Sequence, residues 1–316
     1  MRRIKLFEEF LAEAQTPQDL HKAYLCIDPK SGQRWWSYKE FAGSKFFVQL
    51  TMENYKEVDI NPDYPVLNYN SKVCQRILDE GLIKDENVYN HPKHIKLSGS
   101  KSEFHKLVEG EDNIPQTVYT QKAAETIGLP LIAKPAKGHS GIGIQVFKTD
   151  EDWQAADHSK FDIYSQYIDK QSEHRIFNFK GQPWFWMQRE PMNDKAKTGS
   201  GKGDEQMNFK YIKRDVNKLP NKFKSVLERF CGLMSDLPYM CFDLMEDKQG
   251  KVWIIESNAQ PGVPYDSTVE AYKLVFQDFF GRNIDSRTQD ELHRLAEYMN
   301  QKTLELDPER FEIKDK

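Results

Sequence analysis

Two short segments carry residue types and spacings suited to phosphate and metal chemistry. The first is Ile132-Ala133-Lys134-Pro135-Ala136-Lys137-Gly138-His139-Ser140-Gly141-Ile142-Gly143-Ile144, in which an apolar strand ends on a lysine and enters a turn with three glycines between Gly138 and Gly143. Glycine admits positive φ and leaves backbone N–H groups uncovered, so such a turn can close on phosphate oxygens, with Lys134 adding a cation. It is not a Walker loop: G-x-x-x-x-G-K-[ST] is absent, and a strand rather than a helix follows. The competing reading is a glycine hairpin without a ligand. The second segment places Asp243 on one apolar strand and Glu256-Ser257-Asn258 at the end of the next, closing with Gln260-Pro261-Gly262. Two carboxylates and an amide oxygen are the hard donors that Mg²⁺ takes when it shares its shell with substrate phosphates. The competing reading is a solvated hairpin with acids at its rim.

These residues need a scaffold, and the hydrophobic pattern supplies one. Strands are expected at Leu131–Lys134, Ile144–Phe147, Ile163–Ile168, Arg175–Phe179 and Pro183–Arg189, then at Tyr239–Met245 and Val252–Glu256 around the Asp247-Lys248-Gln249-Gly250 turn, much of this antiparallel. Ser100-Lys101-Ser102-Glu103 has capping-box spacing and predicts a helix carrying Phe104, Leu107 and Val108; Phe223, Val226, Leu227 and Phe230 predict another. Upstream, an amphipathic helix uses Phe7, Phe10, Leu11 and Ala14. A strand Ala23–Ile27 enters the Asp28–Gly32 turn as a hairpin. A strand at Pro65–Asn68 feeds a helix capped by Asn70, with Val73, Cys74, Ile77 and Leu78 inward and Gly81 past its end. Two helices close the chain, one on Val269, Tyr272, Phe276 and Phe279, the other on Leu292, Leu295 and Met299. The stretch 193–208 has three glycines and almost no apolar side chains, which predicts a mobile loop.

Composition removes several classes. With 316 residues there is length for about two domains. The 49 acidic against 45 basic side chains leave a net charge of −4, which gives no clear nucleic-acid signal. No apolar run approaches the roughly 20 residues that span a bilayer, and Glu8, Glu9 and Glu13 interrupt any signal-peptide core, so a cytoplasmic protein is expected. Cys26, Cys74, Cys231 and Cys241 are scattered and read as buried reduced thiols.

In this order and spacing the motifs resemble the ATP-grasp superfamily, in particular the glutamate-adding and glutathione-synthetase-like carboxylate-amine ligases. The resemblance covers Ser98 to Thr268. Lys101, with Asn113-Ile114-Pro115-Gln116-Thr117 beyond its helix, resembles the first nucleotide lysine and the strand start that follows it. Lys134 with Gly138, His139, Ser140, Gly141 and Gly143 resembles the second lysine and the flexible phosphate loop. Gln166-Tyr167-Ile168 resembles the hinge that holds the adenine edge, and Glu173-His174-Arg175-Ile176-Phe177 is similar to the strand after it. Asp243, Glu256 and Asn258, with Pro261-Gly262, resemble the metal-binding E-x-N-x-x-P-G terminus. The sequence departs from the pattern at Ser100 and Tyr167, where acids are usual.

The resemblance implies an α/β (α+β) chain with the ATP-grasp fold, two α+β subdomains clasping ATP, preceded by a small α/β N-terminal domain. Residues 1–97 would be a substrate domain, 98–268 the ATP-grasp domain with its phosphate loop at 138–143 and mobile loop at 193–208, and 269–316 C-terminal helices packed on it. The implied activity is an ATP-dependent carboxylate-amine ligase working through an acylphosphate, with ATP and two Mg²⁺ ions for which Mn²⁺ substitutes, acting on small-molecule or peptide carboxylates and amines. Arg175 and Arg189 are the catalytic candidates, for an acylphosphate or a substrate carboxylate; ordinary salt bridges are the alternative. Two other functions stay open: an ATP-grasp-type small-molecule kinase and a non-catalytic ATP-binding module.

Overall fold

The computed structural model describes residues 22–27, 47–135, 142–194, 196, 208–261, 267–281, 286–306 and 308–314. The expected N-terminal helix, the turn at 28–32, Gly138, His139, Ser140, Gly141, most of the 193–208 stretch and Gly262 lie outside them. In chain order the elements are β1 (Ala23–Cys26), β2 (Phe47–Leu50), β3 (Val66–Asn68), α1 (Ser71–Asp79), β4 (Val88–Tyr89), α2 (Pro92–Gly99), α3 (Lys101–Leu107), β5 (Thr117–Val118), α4 (Gln121–Ala124), β6 (Leu131–Lys134) and β7 (Gln145–Phe147). Then follow α5 (Asp150–Gln154), β8 (Ile163–Gln166), β9 (Lys170–Phe179), β10 (Gln182–Pro191), β11 (Phe209–Arg214), α6 (Asn221–Leu233), β12 (Tyr239–Asp247), β13 (Val252–Asn258), α7 (Ser267–Phe280), α8 (Ser286–Leu306) and β14 (Phe311–Lys314).

The chain divides into two compact units. The first takes in the described residues up to Ile95, Asp236–Tyr239 and Gln260–Leu306; the second takes in Lys96–Ser235, Met240–Ala259 and the described residues beyond Leu306. Helices α7 and α8, expected to pack on the ATP-grasp domain, thus group with the N-terminal unit, while β14 groups with the second.

In the first unit four strands lie in the order β2-β1-β3-β4, all parallel. The hairpin expected after β1 is therefore corrected: both edges of β1 are taken by parallel partners, which need crossover connections rather than tight turns. Asn70 caps α1 by accepting from the N–H groups of Lys72 and Val73, as its side-chain type predicts, and Val73, Cys74 and Ile77 bury against Tyr24, Cys26 and Val66. Gly81 leaves the helix at φ 69°, the left-handed conformation that favours glycine.

The second unit holds two sheets. The smaller, in the order β5-β8-β6-β7, is antiparallel and packs Leu131, Ala133, Phe147 and Tyr164 with Trp153 of α5. The larger runs β13-β12-β9-β10-β11-β14, with β14 parallel to β11 at the edge. One of its faces is covered by α6, whose Phe223, Leu227 and Phe230 are buried at helical spacing, Phe223 meeting the His174 ring edge-on at 4.8 Å between centroids. Because side chains alternate along a strand, Glu173 and Arg175 of β9 then stand on the opposite face, in register with Arg189 and Met187 of β10. All four cysteines are free and buried, as expected. Among the described residues no helix is long and apolar enough to cross a membrane.

Candidate nucleotide and metal site

The open face of the large sheet carries a buried ionic network. Arg175 donates from Nε to Asp243 Oδ1 and from Nη2 to Asp243 Oδ2, both at 2.8 Å. Arg189 donates from Nη2 to the same Oδ2 at 3.0 Å and from Nη1 to Glu173 Oε1 at 2.8 Å, and Lys170 reaches Glu173 Oε2 at 2.7 Å. Burial alone would push the Asp243 carboxyl up, but the two guanidiniums overcome it and hold it down at about 2. Asp243 is thus a buried anion and not an acid at a solvated rim. Arg175 and Arg189 make bonds of the salt-bridge kind, and they make them to the metal candidate itself.

Asp243 and Glu256 are direct cross-strand partners, and Asn258, two residues on, lies opposite Cys241. The two-residue spacing puts Glu256 and Asn258 on one face of β13. A carboxylate offers about four lone-pair sites; Asp243 has three occupied, all by arginine, which leaves one on Oδ1. Glu256 is half-buried and has no hydrogen bond or ion pair among the described residues. No group of three His, Cys, Asp or Glu suited to a metal occurs among the described residues. The set on offer is therefore an open carboxylate, one oxygen of a second and an amide, all hard donors. That fits a Mg²⁺ completed by phosphates and water better than a cation held by protein alone.

The nucleotide lysines come from other elements. Lys134 ends β6 with only 7% exposure. Burial brings its ammonium down to about 8, with Glu256 opposing the shift and Lys101 adding to it, so Lys134 lies within electrostatic reach of both. Ser100 caps α3 as its capping-box spacing predicts, and Lys101 opens that helix. The small sheet, α3 and β13 therefore place Lys134 within electrostatic reach of a second cation and of a carboxylate. Backbone bonds tie these elements together: Ile254 donates to the Asn113 carbonyl at 2.8 Å, and Gln166 to that of Gln116 at 2.8 Å.

At the hinge, Gln166 and Tyr167 spend their N–H groups inside the protein, the second on the Pro130 carbonyl at 3.2 Å. Ile168 is buried, and its N–H has no backbone partner among the described residues. An adenine edge would therefore find its backbone donor at Ile168. Gly143, at φ 74°, packs within 3.1 Å (as a hypothetical Cβ) of the Pro135 ring, so a side chain there would be strained in conformation and crowded as well.

No family model and no curated protein matches the chain in sequence. Its fold, however, matches many solved structures. A D-alanine–D-alanine ligase from Bacillus anthracis aligns over 89% of this chain and 99% of its own at 15% identity, with a TM-score of 0.56. The ATP-grasp ligase PsnB, complexed with a minimal precursor, aligns over 87% and 99% at 14% identity and a TM-score of 0.52. An N5-carboxyaminoimidazole ribonucleotide synthetase from Thermotoga maritima aligns over 84% and 78% at 10% identity and a TM-score of 0.51. The chain has the ATP-grasp fold.

Within the ATP-grasp fold, three residues that sequence reading passed over stand beside the candidate residues, His105 near the two lysines and Tyr211 and Arg310 near the ionic network. His105, one helical turn beyond Lys101, is 4% exposed, its Nδ1 is buried without a partner, and burial together with Lys134 and Lys101 lowers it to about 3. Tyr211 of β11 is the cross-strand partner of Arg189. Burial would raise its phenol, yet Arg189, Arg175 and Arg310 bring it below its ordinary value. Arg310, just before β14, lies with its guanidinium 5.4 Å from the Tyr211 ring centre. The only sequence signal for Tyr211 was its place between cations in Phe209-Lys210-Tyr211-Ile212-Lys213; for His105 and Arg310 there was none. His174, by contrast, is structural: Trp186 Nε1 donates to its Nδ1 at 3.1 Å, which leaves Nε2 to donate to Ser172 Oγ at 2.8 Å.

Proposed function

We propose that this protein is an ATP-dependent carboxylate-amine ligase that forms an amide or peptide bond and releases ADP and phosphate. The observation that supports this most is Lys134, within electrostatic reach of both Lys101 and Glu256, with Asp243 opposite Glu256 across the strands and Asn258 two residues on. Two cations to hold a triphosphate and a set of hard donors to carry Mg²⁺ are what transfer of a γ-phosphoryl group requires. The ligases of the same fold supply the reaction class by analogy.

In this reading Lys101 and Lys134 neutralise phosphate oxygens, and Gly138, His139, Ser140, Gly141 and Gly143 form the phosphate loop. Gln166, Tyr167 and Ile168 bound the adenine, with Ile168 donating from its backbone, while Glu173, whose two carboxylate oxygens pair with Arg189 and Lys170, serves the ionic network. Glu256, Asp243 Oδ1 and the Asn258 amide hold the metal, which when bound spreads the charge of the transferring phosphoryl group. A carboxylate oxygen of the substrate attacks the γ-phosphorus, the bond to the β-bridging oxygen breaks, and ADP leaves. The amine then attacks the acyl carbon and expels phosphate. Arg175 and Arg189 act chiefly by fixing the Asp243 carboxylate, Arg189 keeping its buried Nε for a substrate oxygen. Residues 1–97 serve the substrates, a small-molecule or peptide carboxylate and an amine.

The test is a panel of amino acids, dicarboxylates and short peptides incubated with ATP, Mg²⁺ and hydroxylamine. ADP release with an acyl hydroxamate supports the ligase. A stable phosphoester with no hydroxamate would assign a kinase, and nucleotide binding without turnover of any panel member would assign a binding module.

A further inference from the structure

The edge of the large sheet holds a second group of cations that nucleotide binding does not use. Across β9, β10, β11 and β14 one row reads Glu173, Arg189, Tyr211 and Phe311, each in register with the next. The Phe311 ring stacks on Tyr211 at 5.7 Å and 21°, which seats β14 against β11. The guanidinium of Arg189 lies over the same Tyr211 ring at 5.7 Å, and that of Arg310 at 5.4 Å. One phenol is thus shared by two guanidiniums from different strands.

Their charges are not balanced. Lys170, Arg175 and Arg189 pair with Glu173 and Asp243, and the third carboxylate, Glu256 opposite Asp243, is the one the ligase reading gives to the metal. Arg310 adds a fourth cation and has no acid partner among the described residues. Arg189 has 9% side-chain exposure, and its Nε is buried without any hydrogen-bond partner. A buried guanidinium N–H left unpaired is costly, and it is relieved by an incoming acceptor. In the ligase reading the triphosphate takes Lys101 and Lys134, on α3 and the small sheet. The surplus at the sheet edge therefore suits an anion other than the nucleotide.

We propose that Arg310, delivered by the C-terminal strand, forms with Tyr211 and the Nε of Arg189 a subsite for a second carboxylate of the substrate, so that the acid this protein activates is a dicarboxylate. A planar carboxylate matches the guanidinium fork with two parallel N–H···O bonds, and the Tyr211 face holds the Arg310 fork in place before the ligand arrives. This rests on the ligase reading for the identity of the other carboxylate, the one that is phosphorylated. It also gives β14 a function: the strand completes the substrate site.

The test reads binding and not turnover, so its failure is separate from failure of the ligase reading, which hydroxamate formation decides. Succinate, glutarate and adipate, each beside its monomethyl ester, are titrated by calorimetry into the full chain saturated with Mg²⁺ and a non-hydrolysable ATP analogue. In the wild type at least one diacid should bind about ten- to a hundredfold tighter than its monoester, the range for a charge-assisted pair. In Arg310→Gln the diacid and the monoester should bind alike, with affinity for the ATP analogue within about twofold of wild type. Arg310→Lys keeps the charge without the fork and should show an intermediate ratio, which carries the test should the glutamine variant fold poorly. A wild type that prefers no diacid, or a preference unchanged in both variants, overturns the proposal.

Discussion

ATP binding should draw a proton onto Lys134. In the nucleotide-free protein this lysine sits almost wholly buried, and burial brings it down from 10.5 to about 8. A shift of that size corresponds to about 3 kcal/mol favouring the neutral amine over its solvated state. At pH 8 about half of the molecules then carry Lys134 uncharged. A triphosphate beside the amine stabilises the ammonium and raises its pKa, so each binding event should take up about half a proton at pH 8 and only about a tenth at pH 7. The sign follows: the bound state holds more protons, so affinity is fullest below pH 8 and declines as pH rises through it. Calorimetry with a non-hydrolysable ATP analogue and Mg²⁺ at pH 8, in two buffers of different ionisation enthalpy, reads this uptake directly. Lys134→Met should abolish it and weaken binding roughly tenfold or more, for loss of a charge-assisted contact. Equal uptake in wild type and variant, or none in the wild type, would refute the placement of the triphosphate at Lys134.

Further outcomes follow from the same geometry. Glu256→Gln should keep the fold, since no hydrogen bond or ion pair of the described residues depends on that carboxylate, and should lose most ADP release; near wild-type release would remove Glu256 from the metal set. Arg189→Ala strips a partner from both Asp243 and Glu173 and should cost about 3–5 kcal/mol in chemical denaturation, as breaking a buried pair does; a loss under about 1 kcal/mol would mean the network is solvated. Burial holds His174 at about 4 and His105 at about 3, so the unfolded chain binds more protons once the pH falls below about 6.5. Stability should therefore be full above that value and drain as pH falls towards 4, with His174 contributing about 3 kcal/mol; urea titrations of His174→Gln that show the wild-type pH dependence would contradict this.

What the sequence revealed, and what it hid, divides along physical lines. Asn70 and Ser100 were legible as caps because each satisfies its own helix's first N–H groups, a local bond that local sequence encodes. The Asp243–Glu256 pairing was legible because two apolar strands flank a short turn, which fixes antiparallel neighbours. Strand β9 was expected only from Arg175, yet it begins at Lys170. Within its polar start Glu173 is buried because Lys170 and Arg189 neutralise it, and Arg189 is a partner that no single segment reveals. Strand β11 was missed because four of its residues are the cations and the tyrosine that line both faces, and β14 because four residues in a charged tail become a strand only by pairing with β11. Arg310 was invisible for the same reason: Tyr211, the ring it lies over, is distant in the chain. The grouping of α7 and α8 with the first unit depended on tertiary packing.

A ligase of this kind passes a phosphoryl group through a carboxylate. The most direct measurement uses ¹⁸O in the carboxyl group of the substrate that the hydroxylamine panel identifies, followed by mass spectrometry of the inorganic phosphate released with the amide. Formation and collapse of an acylphosphate predicts one ¹⁸O atom transferred from the acid to each phosphate. Phosphate free of ¹⁸O, with ADP and amide still formed, would contradict it.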